Sequence, residues 1–278
     1  MYRGMCQAAN ERGYLVTVSG VMKFERMKDT MVDGIIMPNE DTTSYYMKKG
    51  GKNYYLPVVS ASFCNVADIP KSVPLVETDM YKAMEIALNY LNSTGHKIIA
   101  YGFPYDMDNQ NSRYLAYKDY IRKVIGNAGW GKYVLAIHKN AMKNDPRIAP
   151  FSEDLPGHSM YQEEDFFGKG KLAAQIFIER KLDATAVICF NDEFAIGMIR
   201  GFQELSVKVP EQISVMGIDG TGTRKYLSPT LTINMFPQKQ GQECANILID
   251  MIEKTNKRYM VHIKPKLQLG ESVKNLRV

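Results

Sequence analysis

Apolar and polar positions along this chain follow two periods that take turns. Apolar runs of strand length occupy residues 14–19, 34–37, 57–62, 97–103, 133–138, 184–190, 213–218 and 231–233, and segments of helical period stand between most of them. The clearest helix starts after Thr78-Asp79, which reads as an N-cap. Its Met80, Ala83, Met84, Ala87, Leu88 and Leu91 recur at the i, i+3, i+4 spacing of one buried face. Gly95 stops that helix and His96 opens the next strand. A second helix is predicted from Phe194 to Leu205. A third runs from Gln240 to Lys254, with Ala245, Leu248, Met251 and Ile252 on one side. Alternation of strand and helix predicts parallel sheets covered by helices, an α/β fold. Residues 139–165 break the rhythm with Pro146, Pro150 and Pro156, many charges and no sustained period. They read as a surface insertion, with a ligand lid as the alternative.

The most informative stretch is 184–219, ATAVICFNDEFAIGMIRGFQELSVKVPEQISVMGID. One apolar run ends in Asn191-Asp192. An amphipathic segment and Val209-Pro210 follow, and a second apolar run ends in Gly217-Ile218-Asp219. An amide and a carboxylate therefore stand at strand ends. In parallel α/β sheets, ligands bind in the crevice at the carboxyl ends of the strands.

Composition narrows the class. With 278 residues, 45% hydrophobic and 23% charged, the chain has room for one large domain or two lobes and is composed as a soluble globular protein is. A net charge of +5, dispersed along the sequence, is too weak to indicate nucleic-acid binding by this chain alone. No apolar run approaches the roughly 20 residues of a membrane span, and the N-terminus lacks the apolar core and cleavage site of a secretion signal. Cys6, Cys64, Cys189 and Cys244 form no CxxC pair, which suits free thiols in the cytoplasm. His96, His138, His158 and His262 show no metal-ligand spacing. Residues 219–225 lack the GxxxxGK[ST] pattern of a phosphate loop, and there is no GxSxG elbow. Neither a metal nor a cofactor is expected, and the chain does not read as an enzyme.

Several segments in fixed order carry a family resemblance. These are YRGMCQAANERGY at 2–14, VDGII at 32–36, LPVV at 56–59, Asp79 followed by its helix and Gly95-His96-Lys97, and Ser112-Arg113 with Ala116-Tyr117. Thr185-Ala186 through Asn191-Asp192 to Gly197, and Val209-Pro210 with Ile213 through Asp219, complete the set. From Tyr2 to Ser272 the sequence resembles the effector-binding core of the lactose/galactose repressor (LacI/GalR) family of bacterial transcription regulators, which is similar in fold to periplasmic sugar-binding proteins. The resemblance implies two Rossmann-like lobes with parallel sheets joined by three crossovers (periplasmic-binding-protein-like, type I), with a sugar or nucleoside effector between them. Carried onto this chain, it implies a first lobe of residues 1–104 plus 236–256 and a second of 105–235 plus 257–278. The crossovers would fall near 103–104, 235–236 and 255–257. It also implies a homodimer through the first lobe, DNA contact only through a helix-turn-helix domain that this chain does not contain, and no membrane partner. The family's first strand, which lies inside the first sheet, has no counterpart ahead of the helix at Tyr2. Ala116 replaces a usual Gly, Gly220 a usual acid, and Gly270-Glu271-Ser272 stands where Arg-Glu-Ser is common.

The chemistry of the family's sugar-contacting positions fits vicinal hydroxyls, which both donate and accept. Ionised Asp219 accepts two hydrogen bonds, Arg113 donates through a planar fork, and Asn191 does one of each. Each has a bland alternative: a turn residue for Asp219, a solvated charge at a helix start for Arg113, a helix N-cap for Asn191. The expectation is that Asp192 caps while Asn191 faces the crevice. Ser62 could line the first lobe's side or be a plain loop serine. Phe166, or Phe167, could stack on an apolar sugar face or belong to the core. Phe236 could press on the ligand or pack a hinge. A sugar-responsive sensor, acting as a repressor, is the leading function. A transport-type sugar-binding protein and a degenerate remnant of a regulator are the alternatives.

Overall fold

The computed structural model describes residues 1–18, 32–49, 56–63, 69–105, 111–137, 165–220, 231–255 and 260–277. In chain order the elements are α1 (Tyr2–Glu11), β1 (Ile35–Met37), α2 (Glu40–Lys49), β2 (Val58–Ser62), β3 (Leu75–Thr78), α3 (Met80–Ser93), β4 (Ile99–Phe103) and α4 (Ser112–Ile125). There follow β5 (Val134–Ala136), α5 (Phe166–Glu179), β6 (Ala186–Cys189), α6 (Asp192–Glu204), β7 (Ser214–Asp219), β8 (Leu231–Asn234), α7 (Pro237–Glu253), β9 (Met260–Ile263) and β10 (Lys266–Gln268). They form two compact units. Unit 1 is Met1–Met80 with Met235–Pro265, and unit 2 is Tyr81–Asn234 with Lys266–Val278.

Unit 1 is built on a four-stranded sheet in the order β1-β2-β3-β9, parallel throughout. α7 lays Cys244, Ile247 and Leu248 against Val59, Ala61, Val76 and Ile263 of the sheet. This is the packing expected for a helix with one apolar stripe. α1 then packs on α7 so closely that both contact positions are glycine. A Cβ on Gly4 would stand 1.9 Å from the Gln238 carbonyl oxygen, and one on Gly241 2.1 Å from that of Met1. Arg12 ties the far ends of the two helices together through Asp250 and Glu253. The strand expected at 14–19 is not formed over residues 14–18, and Ser19 lies outside the described residues. Among the described residues this apolar run joins no ladder. Leu15 and Val18 are left exposed.

Unit 2 carries a six-stranded sheet, β10-β8-β7-β6-β4-β5, parallel except for β10. β4 to β7 are buried on both faces, which explains their continuous apolar runs. The C-terminal tail is stitched to this unit. Val215 and Ser272 exchange a backbone bond and a hydroxyl bond, Leu276 N–H donates to the Thr94 carbonyl, and His96 bridges Thr185 and the Lys274 carbonyl at 2.9 Å each.

The lobe boundaries differ from those expected. Residues 81–104 belong to unit 2, because β4 takes its hydrogen bonds from β5 and β6. The first passage between units therefore falls after Met80 rather than at 103–104, and the second falls at Asn234-Met235, close to the expected place. The third falls at Pro265-Lys266, not at 255–257, since β9 pairs with β3 before β10 joins β8. Most of the aperiodic 139–165 stretch lies outside the described residues.

Candidate ligand-binding site

In unit 2, the carboxyl ends of β4, β6 and β7 meet the N-termini of α4, α5 and α6. β7 ends at Asp219, whose φ is 120°, a backbone conformation that non-glycine residues adopt only under strain. Gly220 follows at φ 71°. Strain of this kind is retained where surrounding contacts hold it, and the contact here is Arg113. Its Nη2 donates to Asp219 Oδ1 at 2.9 Å, its Nη1 donates to the Phe190 carbonyl, and its guanidinium lies 4.5 Å from the Phe190 ring centroid. Arg113 is 6% exposed, whereas 30% of the Asp219 side chain remains accessible. The fork is thus buried and fixed, while the Asp219 side chain is only partly covered. Burial pushes the Asp219 carboxyl up to about 6; Arg113 pulls it down and the nearby Asp192 pushes it further up.

Phe190 is the centre of an aromatic wall. Phe166 stacks on it at 5.9 Å, Tyr105 meets it edge-on at 5.3 Å, and Phe103 stands behind at 6.1 Å. Phe166 is the first residue of α5, which Asp165 caps by accepting the Gly168 N–H at 2.6 Å. Phe167 points elsewhere and is exposed. Of the two phenylalanines, Phe166 is the one in the site.

Asn191, not Asp192, takes the cap expected of Asp192. Asn191 is the N-cap of α6, its Oδ1 accepting the Phe194 N–H at 2.8 Å. Asp192 is the first helical residue, fully buried, and accepts the Thr232 hydroxyl at 2.5 Å. The reason is geometric. Asn191 has extended backbone, the conformation from which a side chain can reach back to the third N–H, whereas Asp192 is already helical. With Oδ1 committed to the cap, the amide N–H₂ of Asn191 is its remaining donor group.

Ser62 and Phe236 lie in unit 1. The Ser62 hydroxyl donates to Glu40 Oε1 at 2.8 Å, and the Phe63 N–H donates to the same oxygen. Glu40, in the first turn of α2, is 3% exposed. Gln240 Nε2 donates to the carbonyls of Ser62 and Val76, tying the end of β2 to β3. Phe236, at φ 51° ahead of α7, packs against the unit 1 core. The structure thus brings Arg113, Asp219, Asn191 and Phe166 together in unit 2. In unit 1 it adds Glu40 beside Ser62.

Sequence reasoning missed Tyr105, Phe190, Lys169 and Glu40. Phe190 was visible as the residue before Asn191 at a strand end, and Lys169 as one turn on from Phe166. Tyr105 and Glu40 follow strand ends without any motif of their own. Among the described residues no group of three His, Cys, Asp or Glu is placed to hold a metal, and no helix is long and apolar enough to cross a membrane.

Polar and aromatic side chains converging at the carboxyl ends of a parallel sheet are the arrangement in which α/β domains hold small molecules. Residues 88–273 match the family described as periplasmic binding protein-like domain, and residues 8–144 match periplasmic binding proteins and sugar binding domain of LacI family. The chain belongs to the periplasmic-binding-protein-like family, as the kind of effector-binding core found in LacI/GalR regulators. Among curated proteins it is 36% identical to the HTH-type transcriptional repressor PurR of Photobacterium profundum over 106 residues, 37% of this chain and 32% of that protein. To PurR of Vibrio parahaemolyticus it is 28% identical over 151 residues, 51% of this chain and 45% of that protein. The chain thus spans less than half the length of these curated relatives. Among solved structures, a LacI family regulator of Enterococcus faecium with bound ribose superposes with a TM-score of 0.71 at 20% identity, over 99% of this chain and 93% of that one. The CelR–cellobiose complex superposes with a TM-score of 0.70 at 20% identity, over 98% and 77%.

Proposed function

We propose that this chain is the ligand-sensing part of a sugar-responsive bacterial transcription repressor. The observation that carries the reading is the Arg113–Asp219 pair set against the Phe190 wall at the strand ends of unit 2. A half-open carboxylate, a buried guanidinium fork and the Asn191 amide suit the donor and acceptor pattern of a sugar, and the ring faces suit its apolar side. The same set holds a ligand without offering a nucleophile and base in reach of each other, so it reads as a sensor rather than an enzyme. The names of the curated relatives and the ribose and cellobiose in the superposed regulators support this reading. In it, a sugar or nucleoside is held by these side chains of unit 2. It shifts the units between two arrangements, changing DNA affinity only as far as it prefers one of them. Pairing of two copies through unit 1, DNA contact by a helix-turn-helix domain outside this chain, and a cytoplasmic location belong to the same proposal.

The test is a thermal-shift screen of the purified chain against sugars and nucleosides. A ligand at 100 times its Kd stabilises by about 2.7 kcal/mol, a rise of several degrees for a unit of this size. Asp219→Ala abolishes that shift. Undiminished affinity in Asp219→Ala means the ligand sits elsewhere and the assignment is wrong.

A further inference from the structure

Tyr101, in the middle of β4, is fully buried, and among the described residues its hydroxyl has no hydrogen-bond partner. A buried polar group left in this way costs free energy, so each one kept in a core calls for an explanation. Tyr117 on α4 shows the ordinary arrangement: it is equally buried, and its hydroxyl donates to the Ile99 carbonyl at 2.9 Å. Burial pushes the Tyr101 phenol up. Arg113 is near enough to pull it down, and Cys189, Tyr105 and Asp219 add to the rise.

The hydroxyl belongs to the layer beneath the ligand site. Tyr101 pairs with Ile188 of β6 and Ile188 with Met216 of β7, so these three side chains share one face of the sheet. On that face the Tyr101 ring touches two others, Phe103 at 5.3 Å and Tyr117 at 5.0 Å. Phe103 leads to Phe190 at 6.1 Å, and the Phe190 ring carries Arg113 at 4.5 Å. Tyr117 follows Arg113 on α4 at the i, i+4 spacing that stacks side chains on one helix face. Both routes from Tyr101 therefore end at Arg113, whose guanidinium is matched here to the Asp219 carboxylate and the Phe190 carbonyl.

We infer that Tyr101 is a positioning residue of this site: its hydroxyl is the acceptor to which the Arg113 guanidinium turns when a ligand takes hydrogen bonds at the Asp219 carboxylate. The site then has two arrangements, and the ligand selects the second. The inference rests on the reading of the unit 2 site given above. A phenol oxygen suits the task because it accepts while its own proton rotates aside. Arginine suits it because a planar fork with five donors can exchange one acceptor for another and stay on the Phe190 ring. The first arrangement carries two costs, the unmatched hydroxyl and the left-handed backbone of Asp219. The first cost ends when Arg113 reaches Tyr101, and the second when Asp219 is released from the pair, so both favour the ligand.

The experiment uses the whole chain with ribose, glucose, cellobiose and adenosine as probes, and calorimetric titration with each one that binds. Without a probe, Tyr101→Phe melts at or above the parent, because phenylalanine fills the same space and no hydrogen bond is lost. It binds the probe roughly tenfold more weakly, the worth of one hydrogen bond to a charged group. In an Arg113→Met background the same substitution changes affinity by less than about twofold, since the hydroxyl acts through Arg113. Tyrosine labelled with carbon-13 at Cζ gives a second reading that needs no change at Arg113: the Tyr101 signal, identified by its loss in Tyr101→Phe, shifts when the probe saturates the parent. This measurement decides the matter if Arg113→Met fails to fold or to bind. Equal affinity in Tyr101→Phe, melting of Tyr101→Phe well below the parent, a loss that persists in Arg113→Met, or a Tyr101 signal that stays in place overturns the inference but leaves the sugar-binding site standing. Failure of all probes to bind, or binding indifferent to Asp219→Ala, removes the site reading and this inference together.

Discussion

Gly197→Ala sets two effects of known size against each other. By helix propensity alone the substitution stabilises α6 by up to about 1 kcal/mol. The tertiary structure opposes it: a Cβ at Gly197 would stand 2.0 Å from the Phe167 carbonyl oxygen and 2.8 Å from its carbon. A carbon–oxygen contact settles at about 3.3 Å or more, so α5 and α6 would have to part by roughly 1 Å. The crossing is tight from both sides, since a Cβ on Gly170 of α5 would stand 2.1 Å from the Phe194 carbonyl oxygen. The obstructing atoms are backbone and cannot swing aside, which places the cost at the upper end of overpacking, about 3 kcal/mol. The clash wins, for a net loss of about 2 kcal/mol, or about 4–8 °C in melting temperature for a unit of this size. Ligand affinity falls as well, because α5 carries Phe166 away from Phe190. Urea titration and thermal melting by circular dichroism measure the first effect, and calorimetric titration the second. Gly197→Ala melting at or above the parent would refute the argument that the close approach of these helices requires glycine. Combined with Gly170→Ala, the two losses should be less than additive, since the first separation relieves the second.

Protonation of Asp219 affects stability and binding with opposite signs. Its folded pKa, about 6, lies above the ordinary value of 3.8. Its contribution to stability is therefore fully present below 3.8 and lost as pH rises through 6. Ligand affinity runs the other way, falling as the acceptor carboxylate is protonated below 6, and titrations from pH 7.5 to 5 should show this in the parent and not in Asp219→Asn. His96 is held neutral, its pKa lowered by burial against a smaller upward pull from the Lys274 carbonyl. Its contribution is present above the unfolded value of about 6.5 and lost as pH falls below it. His96→Ala, which strands the Lys274 carbonyl, should cost about 1–3 kcal/mol at pH 7.5 by urea titration; a loss under 0.5 kcal/mol would mean the tail is not pinned there. Asn191→Ala should lose about 1 kcal/mol with the cap, whereas Asn191→Asp keeps the cap. If Asn191 also reads the ligand through its amide, Asn191→Asp binds more weakly at undiminished stability, and equal affinity would reduce Asn191 to a cap alone.

Seven of the eight expected strands form, within two residues of the expected ends, because a strand buried on both faces must be apolar throughout and turn residues bound it. The eighth, at 14–19, shows the limit: its apolar run has strand length, but over residues 14–18 it joins no ladder, and a strand exists only in a ladder. β3, β9 and β10 were not expected. They are three or four residues long and partly exposed, and their partners rather than their composition make them strands.

The residues of the site were legible in the same uneven way. Arg113, Asn191 and Asp219 could be named because each follows a motif at a strand end or helix start, where chain direction alone decides the surroundings. The sequence by itself determined the α/β class, the helix faces and the chemistry available at those ends, all of which depend on neighbours close along the chain. Only the tertiary structure decided that β4 belongs with β6, that Asn191 caps while Asp192 is buried under Thr232, and that Lys169 shares an aromatic wall with Arg113. The pairing of β4 with β6 and the burial of Asp192 under Thr232 turn on contacts between residues 40 to more than 80 positions apart, and no local period records which distant segments will meet.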